Sequence, residues 1–258
     1  MSSIIKQHLL STLKQEIRTD LRKFDQYRQI TVEHGIIKGA EGSARVRIGN
    51  TEVIAGVKFE LGEPFPDTPD EGTIMVNVEL RPLSSPKFEL GPPSVEAIEL
   101  SRVVDRALRE GEALDFKKLC VKEGEKIWMI LIDIYPINDD GNLFDAASLA
   151  AISALKDARF PKVEDDKVNY KELTSKKLEL QHMPISCTVY SIGGNFIIDP
   201  SYEEEEFCDA RLTAGVLEDG AICSMQKGGD TGLSHEEVNT MIEMIIKKSS
   251  DLRKAIPK

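Results

Sequence analysis

The sequence lacks several features that mark common functional classes. Its four cysteines form no CxxC pair and its four histidines are scattered, so we expect reduced thiols and no zinc site. No apolar run approaches the roughly 18 residues that a membrane-spanning helix needs. Residues 1–13 lack the basic start, apolar middle and small-residue cleavage site of a signal peptide. These absences are typical of a cytoplasmic protein.

The common catalytic and nucleotide-binding signatures are missing as well. The chain contains no GxSxG, no HExxH, no Cys/His arrangement and no GxGxxG that follows a strand. Residues 227–232 are rich in glycine but lack the GxxxxGK[ST] order, which favours a plain turn over a phosphate site. No cofactor or metal is therefore expected. The net charge of −11 argues against general attraction to nucleic acid, although it permits a local basic groove.

The apolar pattern predicts a mixed fold. Apolar and polar residues alternate on both sides of Gly49-Asn50, which is typical of a β-hairpin with a two-residue turn. Residues 127–135 form a nearly continuous apolar strand, which we expect to be buried on both faces. Four shorter strands follow within residues 185–226, and Ser234 begins a capping box that opens a long helix. This order predicts an α+β protein whose helices cover mostly antiparallel sheets.

The chain divides into two similar halves, each a group of strands followed by a helix. Apolar residues spaced four apart predict an N-terminal amphipathic helix up to residue 22. A Lys-rich charged stretch is the best candidate for a connection between the halves. The predicted organisation is an N-terminal helix (1–22), an N-terminal half (23–162), a charged connection (163–183) and a C-terminal half (184–258).

The centre of the chain is a Gly-Asn turn that leads into a small, apolar helix. The turn lies at residues 139–145, and the helix, built almost wholly from Ala, Leu, Ile and Ser, extends to about residue 161. A helix that is apolar on every side is expected to be buried. The turn could hold an anion on the free backbone N–H groups at the start of the helix.

Two charged clusters are further candidates for a site. Arg102, Arg106 and Arg109 lie within about 60° of one another on a predicted helix. They form either a solvated face paired with neighbouring acids or a row that contacts phosphates. Arg45 and Arg47 could extend such a basic surface. The acidic run at residues 199–209 could bind Mg²⁺ or supply a general acid, but the pattern favours an exposed acidic turn.

Several motifs, in order and with consistent spacing, resemble the RNase PH family over nearly the whole chain. They are Asp25-Gln26-Tyr27-Arg28, residues 39–46, 49–53 and 56–58, Ile98-Glu99-Leu100-Ser101-Arg102, Asp145-Ala146-Ala147, and Ile198-Asp199-Pro200 followed by three glutamates. The resemblance implies an RNase PH-like fold of two similar sheet-and-helix halves, the first like domain 2 of ribosomal protein S5.

The chain departs from the active members of that family at three places. Val95 and Glu96 stand where active members carry an Arg-Arg pair. The phosphate loop reads Gly141-Asn142-Leu143-Phe144, without the Ser or Thr followed by Arg. The position of the catalytic Asp falls on Ala210, and Asp209 lies one residue away. Within the family, the chain therefore looks most like the non-catalytic RNase PH-like subunits of archaeal exosomes, and no residue is assigned a catalytic role.

The resemblance implies a role in a phosphorolytic, 3′-to-5′ RNA-degrading ring. The chain would alternate with a catalytic RNase PH-like partner as three heterodimers in a hexameric ring, beneath a cap of subunits with S1 or KH domains. It would be inactive alone, shape the partner's active site and contact RNA backbone through Arg102, Arg106 and Arg109. The alternatives are an active homohexameric RNase PH that trims tRNA 3′ ends, and a scaffold that never touches RNA.

Overall fold

The predicted hairpin, buried central strand and helix, C-terminal strands and final helix are all present in the predicted order. A computed structural model describes residues 2–164 and 167–257. The helices are α1 (Ser2–Leu13), α2 (Val95–Glu110), α3 (Leu143–Asp157), the single turn α4 (Tyr202–Glu205) and α5 (His235–Lys254). The strands are β1 (Ile30–His34), β2 (Gly42–Ile48), β3 (Thr51–Gly62), β4 (Thr73–Val78), β5 (Cys120–Lys122), β6 (Lys126–Asn138), β7 (Arg159–Glu164), β8 (Lys167–Lys177), β9 (Ile185–Ile192), β10 (Asn195–Ile198), β11 (Ala210–Val216) and β12 (Ile222–Gly228).

Two main sheets organise these elements. The first has the order β1-β2-β3-β6-β4, with β5 paired to β6. Its pairs are antiparallel except for β4 and β6, which run parallel. The second sheet has the order β10-β9-β11-β12 and is antiparallel throughout. The predicted α+β class with mostly antiparallel sheets is confirmed.

Helix α3 is the buried centre of the molecule. It contacts β2 and β3 of the first sheet, β9 of the second sheet and helix α2. Every residue from Phe144 to Leu155 is buried. The close packing depends on Gly42, because a Cβ there would lie 2.4 Å from the carbonyl oxygen of Ala154. The prediction that this small, apolar helix is buried on all sides is confirmed, since sheets cover it on two faces.

The N-terminal helix is shorter than predicted. It ends at Leu13, not at residue 22, because the chain then turns at Glu16 and Leu21, which both have positive φ angles. Helix α1 packs on the second sheet, so the start of the chain lies against its C-terminal part. The small apolar cluster at this contact comprises Leu9, Leu13, Tyr190, Ile192, Ile197 and Phe207.

The turn after α1 is fixed to the same region by Arg18. This side chain is fully buried, and its Nη2 lies 2.5 Å from Oε2 of the equally buried Glu204. Its guanidinium also donates to the carbonyl oxygens of Ile198, at 3.0 Å, and Asp199, at 2.8 Å. The buried charge is therefore both paired and hydrogen-bonded, which is the condition for tolerating it inside a protein.

Residues 163–183, predicted to be a charged connection, contain regular structure. All of β8 and the end of β7 lie in this stretch, and the two strands pair as a separate two-stranded sheet. Residues 165–166 of the connection lie outside the described residues. None of the helices in the described ranges combines the length and apolarity that crossing a membrane requires.

Candidate functional site

The Gly-Asn turn joins the end of β6 to the start of α3. Gly141 and Asn142 both adopt positive φ angles, of 86° and 62°. A Cβ at Gly141 would lie 2.6 Å from the carbonyl oxygen of Pro200, so the turn is pressed against the segment that precedes α4. Thr51 fixes the turn from the first sheet, because its hydroxyl donates to the carbonyl oxygen of Gly141 at 2.7 Å.

An internal carboxylate occupies the anion position at the start of α3. The backbone N–H of Asn142, the N-cap residue of α3, donates to Oε2 of Glu205 at 2.8 Å. The hydroxyl of Tyr190 donates to the other oxygen of Glu205 at 3.2 Å. Burial raises the pKa of Glu205, and the Asn142 hydrogen bond opposes that rise. The backbone geometry of an anion cradle is therefore present, and the protein itself supplies the anion.

The prediction of an exposed acidic turn at residues 199–209 is wrong for Asp199, Glu204 and Glu205. Asp199 and Glu204 are fully buried. Ser201 and Glu204 form a capping box that starts the single-turn helix α4. That helix points Glu204 at Arg18 and Glu205 at the Asn142 turn, because side chains on one turn project in different directions. Glu204 is therefore an internal counter-ion of Arg18, and Glu205 is an internal hydrogen-bond acceptor.

Asp199 joins the same region to two further arginines. Its carboxylate accepts from the Arg28 guanidinium at 2.7 and 2.9 Å and from the Arg28 backbone N–H at 2.8 Å. It also accepts from Arg22 at 3.0 Å and from the Asn142 side-chain amide at 3.0 Å. Burial alone would lower the pKa of Arg28, but its bonds to Asp199 outweigh this effect and raise it.

A buried carboxyl group lies at the first turn of α3. Asp145 is fully buried and accepts from the Tyr27 hydroxyl at 2.7 Å and from the Asn142 amide at 3.2 Å. Burial raises the pKa of Asp145 to about 7, although the hydrogen bonds from Tyr27 and Asn142 favour the charged form. The carboxyl therefore changes its charge near neutral pH.

We expect the Asp145→Asn variant to have a flatter dependence of stability on pH. The folded pKa of Asp145 is raised to about 7, above its unfolded value, so the folded state holds more protons between about pH 4 and 7. The free energy of unfolding of the unmodified protein should fall as pH rises through that window, by up to about 4 kcal/mol from this group. Urea denaturation at a series of pH values across the window measures the slope.

The exposed residue Asp67 provides the control, because Asp67→Asn removes a carboxylate without touching the buried network. We expect its pH slope to match that of the unmodified protein. An unchanged slope in Asp145→Asn would contradict the assignment of this titration to Asp145.

A stack of three side chains fills the space between α2, α3 and β11. The Arg211 guanidinium lies over the Phe144 ring at 4.2 Å. Its Nη2 pairs with Oε2 of Glu99 on α2 at 2.6 Å. At the position where the resemblance places a catalytic acid, Ala210 is fully buried. The neighbouring Asp209 carboxylate instead accepts from the Gly193 backbone N–H at 2.7 Å, so it holds the β9–β10 turn.

The structure divides the predicted arginine row. Arg102 and Arg106 are exposed and line a cleft of about 270 Å³ between α2 and β12. Within the described part of the chain, neither side chain forms an ion pair or hydrogen bond. Arg109 donates to the carbonyl oxygen of Ile74 on β4 at 3.0 Å and pairs with Asp105, one turn earlier on α2, at 3.0 Å.

Other basic and glycine-rich candidates have internal roles. Arg45 and Arg47 on β2 both pair with Glu52, at 3.1 and 2.8 Å, so their charges are largely compensated. In the loop at residues 227–232, the Lys227 ammonium donates to the Gly229 carbonyl oxygen at 2.6 Å. This loop is a turn closed by its own lysine. The exposed arginine pair therefore remains the strongest candidate for binding an anionic ligand.

The sequence and the fold were compared with families and structures of known proteins, and both match one family. Models of the 3′ exoribonuclease family match residues 26–161 (domain 1) and 182–247 (domain 2). The exosome complex component Rrp42 of Methanocella arvoryzae is 46% identical over 256 residues, covering 99% of this chain and 96% of that protein. Rrp42 of Methanothermobacter thermautotrophicus is 44% identical over 251 residues, covering 96% and 93%. In a solved structure described as the Archaeoglobus fulgidus exosome with RNA bound to the active site, a chain 41% identical superposes with a TM-score of 0.91, covering 99% of both chains.

Proposed function

The chain belongs to the RNase PH-type 3′ exoribonuclease family, and from that membership we propose that it is the non-catalytic ring subunit of an archaeal exosome. Its similarity to two exosome components named Rrp42 extends over almost their full length. In this role the chain completes a ring whose other subunit performs phosphorolysis. We place this role in the cytoplasm.

The observation that carries the proposal is the closed anion cradle. Glu205 presents a carboxylate to the Asn142 backbone N–H, and Phe144 and Arg211 fill the adjacent space. A phosphate at that turn would meet the negative charge of Glu205. Active phosphorolysis requires phosphate to be bound next to RNA, and loss of such a group from a cooperating site costs orders of magnitude in rate. The geometry supports a subunit that does not catalyse the reaction itself.

The partner in this proposal is a catalytic RNase PH-like subunit. Three heterodimers form a hexameric ring, and subunits with S1 or KH domains cap one face. The similarity to a chain of an exosome structure with RNA supports a ring of several subunits. The present chain contributes structure to the ring and shapes the neighbouring active site.

The RNA-contacting residues in this proposal are Arg102 and Arg106. Both are exposed, and both lack an internal counter-ion among the described residues. Arginine binds phosphate oxygens through a planar fork of N–H donors, so such contacts would follow the RNA backbone without reading its sequence. Arg109 is not assigned an RNA contact, because it pairs with Asp105 within α2 and its hydrogen bond to the Ile74 carbonyl oxygen ties α2 to β4.

Purified chain incubated with poly(A) and inorganic phosphate should release no ADP above background. The same chain, co-expressed with the catalytic RNase PH-like subunit of its own genome, should form a complex with the mass of a heterohexamer. That complex should release ADP in a phosphate-dependent manner. Chromatographic measurement of ADP and native mass measurement test both expectations.

The rival function is an active homohexameric RNase PH that trims tRNA 3′ ends. It predicts phosphate-dependent ADP release by the pure chain, together with the mass of six identical subunits. Either finding would refute the non-catalytic assignment. A variant of the partner that lacks its catalytic acid provides the control, because the ring should then assemble and stay inactive.

A further inference from the structure

Arg102 is unpaired in the described part of the chain, although an acidic residue lies one helical turn away. Glu99 precedes Arg102 by three residues on α2. Residues at this spacing are neighbours on a helix surface, and opposite charges there normally pair. If Glu99 paired with Arg102, it would neutralise the arginine before RNA arrived. The question is therefore why Arg102 does not pair with Glu99.

Glu99 does not pair with Arg102 because it forms an ion pair with Arg211 instead. Arg211 Nη2 lies 2.6 Å from Oε2 of Glu99, and the Gln226 amide lies 3.4 Å from the other carboxylate oxygen. Both partners come from the second sheet, on β11 and β12. Glu99 lines the same cleft as Arg102 and Arg106, but both of its carboxylate oxygens are engaged by residues of the sheet.

Arg211 is itself fixed in place. Its side chain is only 12% exposed, its guanidinium covers the Phe144 ring at 4.2 Å, and its other side lies against Gly228. A Cβ at Gly228 would collide with the guanidinium, so the guanidinium can occupy this place only beside a glycine. A guanidinium enclosed in this way cannot easily turn outward to contact a ligand. We therefore assign Arg211 a structural role, in which its charge pairs with Glu99.

We propose that Arg211 is a positioning residue that sequesters Glu99 and so keeps Arg102 free to contact RNA phosphates. The inference rests on the proposed RNA contact of Arg102 and Arg106. Arg211 does not touch RNA; it acts by removing a competing internal anion. An ion pair between Glu99 and Arg102 would remove one phosphate contact.

Loss of one RNA phosphate contact should have a measurable effect on RNA affinity. For single-stranded nucleic acid, each neutralised phosphate contributes about 0.7 to the slope of log affinity against log salt concentration. At about 50 mM salt this corresponds to a factor of about eight in affinity. Both the affinity and the slope can be measured on the assembled ring by fluorescence anisotropy with a labelled oligoadenylate.

The decisive variant is Arg211→Met, which keeps an apolar stem over Phe144 and releases Glu99. We expect RNA affinity at low salt to fall by about eightfold and the salt slope to shrink by about 0.7. The double variant Arg211→Met/Glu99→Gln should restore both, because no carboxylate remains to pair with Arg102. A purely structural role of Arg211 would not be rescued by Glu99→Gln.

The variant Arg102→Gln/Arg106→Gln separates the RNA contact of these two arginines from the sequestering of Glu99 by Arg211. If this variant weakens RNA binding and Arg211→Met does not, the sequestering role is refuted while the RNA contact stands. If Arg211→Met weakens binding and the double variant stays equally weak, sequestering is again refuted. If Arg102→Gln/Arg106→Gln binds RNA like the unmodified chain, the proposed RNA contact fails and the inference fails with it. Circular dichroism melting confirms that each variant is folded.

Discussion

Replacing Arg18 with methionine should lower the free energy of unfolding by about 3–5 kcal/mol. The substitution leaves the fully buried Glu204 without its partner, at a site where no solvent compensates the charge. It also removes hydrogen bonds to the carbonyl oxygens of Ile198 and Asp199. These contacts hold the N-terminal segment on the second sheet, so α1 should become protease-sensitive. Urea denaturation and limited proteolysis measure the two effects.

The matched control is Lys14→Met, which removes the same charge at an exposed position near the end of α1. It should change stability by less than about 0.5 kcal/mol. The double variant Arg18→Met/Glu204→Gln should recover part of the loss, because the unpaired carboxylate is then replaced by a neutral amide. An Arg18→Met protein as stable as Lys14→Met would contradict the assigned role of this buried pair.

Reversing the two exposed arginine charges should have the largest effect on RNA binding. Arg102→Glu/Arg106→Glu removes two phosphate contacts and adds repulsion, so affinity at low salt should fall by about 100-fold. The salt slope should shrink by about 1.4, which is two contacts at about 0.7 each. Since both side chains are exposed and unpaired in the described part of the chain, folding should be unaffected. Anisotropy titrations of the assembled ring measure affinity and slope together.

A charge-matched control separates a local contact from general repulsion. Lys117→Glu/Lys118→Glu makes the same change in net charge at two exposed positions away from the cleft between α2 and β12. We expect this control to weaken RNA binding only slightly. If it weakens binding as much as the arginine reversals, the arginine pair has no special role. If neither variant affects binding, the chain is a scaffold without RNA contact.

The elements of the fold were largely predictable, because their signals are local. Burial alternates along β3 as the period-two pattern predicts, and Ser234 caps α5 by pairing with Glu237. The N-terminal helix was overextended because Ile17 continues the four-residue apolar spacing. In the structure Ile17 is 44% exposed, and the chain has already turned at Glu16. The spacing of apolar residues cannot show where a helix ends when tertiary contacts cause the chain to turn.

The site was harder to predict, because its residues meet only through the fold. The acidic run looked like solvated surface, and nothing local indicates that Glu204 faces Arg18, 186 residues away. Glu205 was missed for the same reason, since its partner Asn142 lies 63 residues away. Arg109 differs from Arg102 and Arg106 because it contacts Ile74 and Asp105, and the sequence alone does not show these contacts. The departures at Phe144 and Ala210 were visible, because they are substitutions within a recognisable motif.

The packing of α1 on the second sheet has a consequence for the order of folding during synthesis. Helix α1 is synthesised before the second sheet, so the Tyr190, Ile192, Ile197 and Phe207 side chains that cover it are made much later. At about 5–20 residues per second, the 186 residues between Arg18 and Glu204 take roughly 10–40 s to translate. Throughout that interval, Leu9 and Leu13 lack the β9 and β10 side chains that cover them in the folded protein. Helix α1 therefore reaches its native place only after the second sheet is complete.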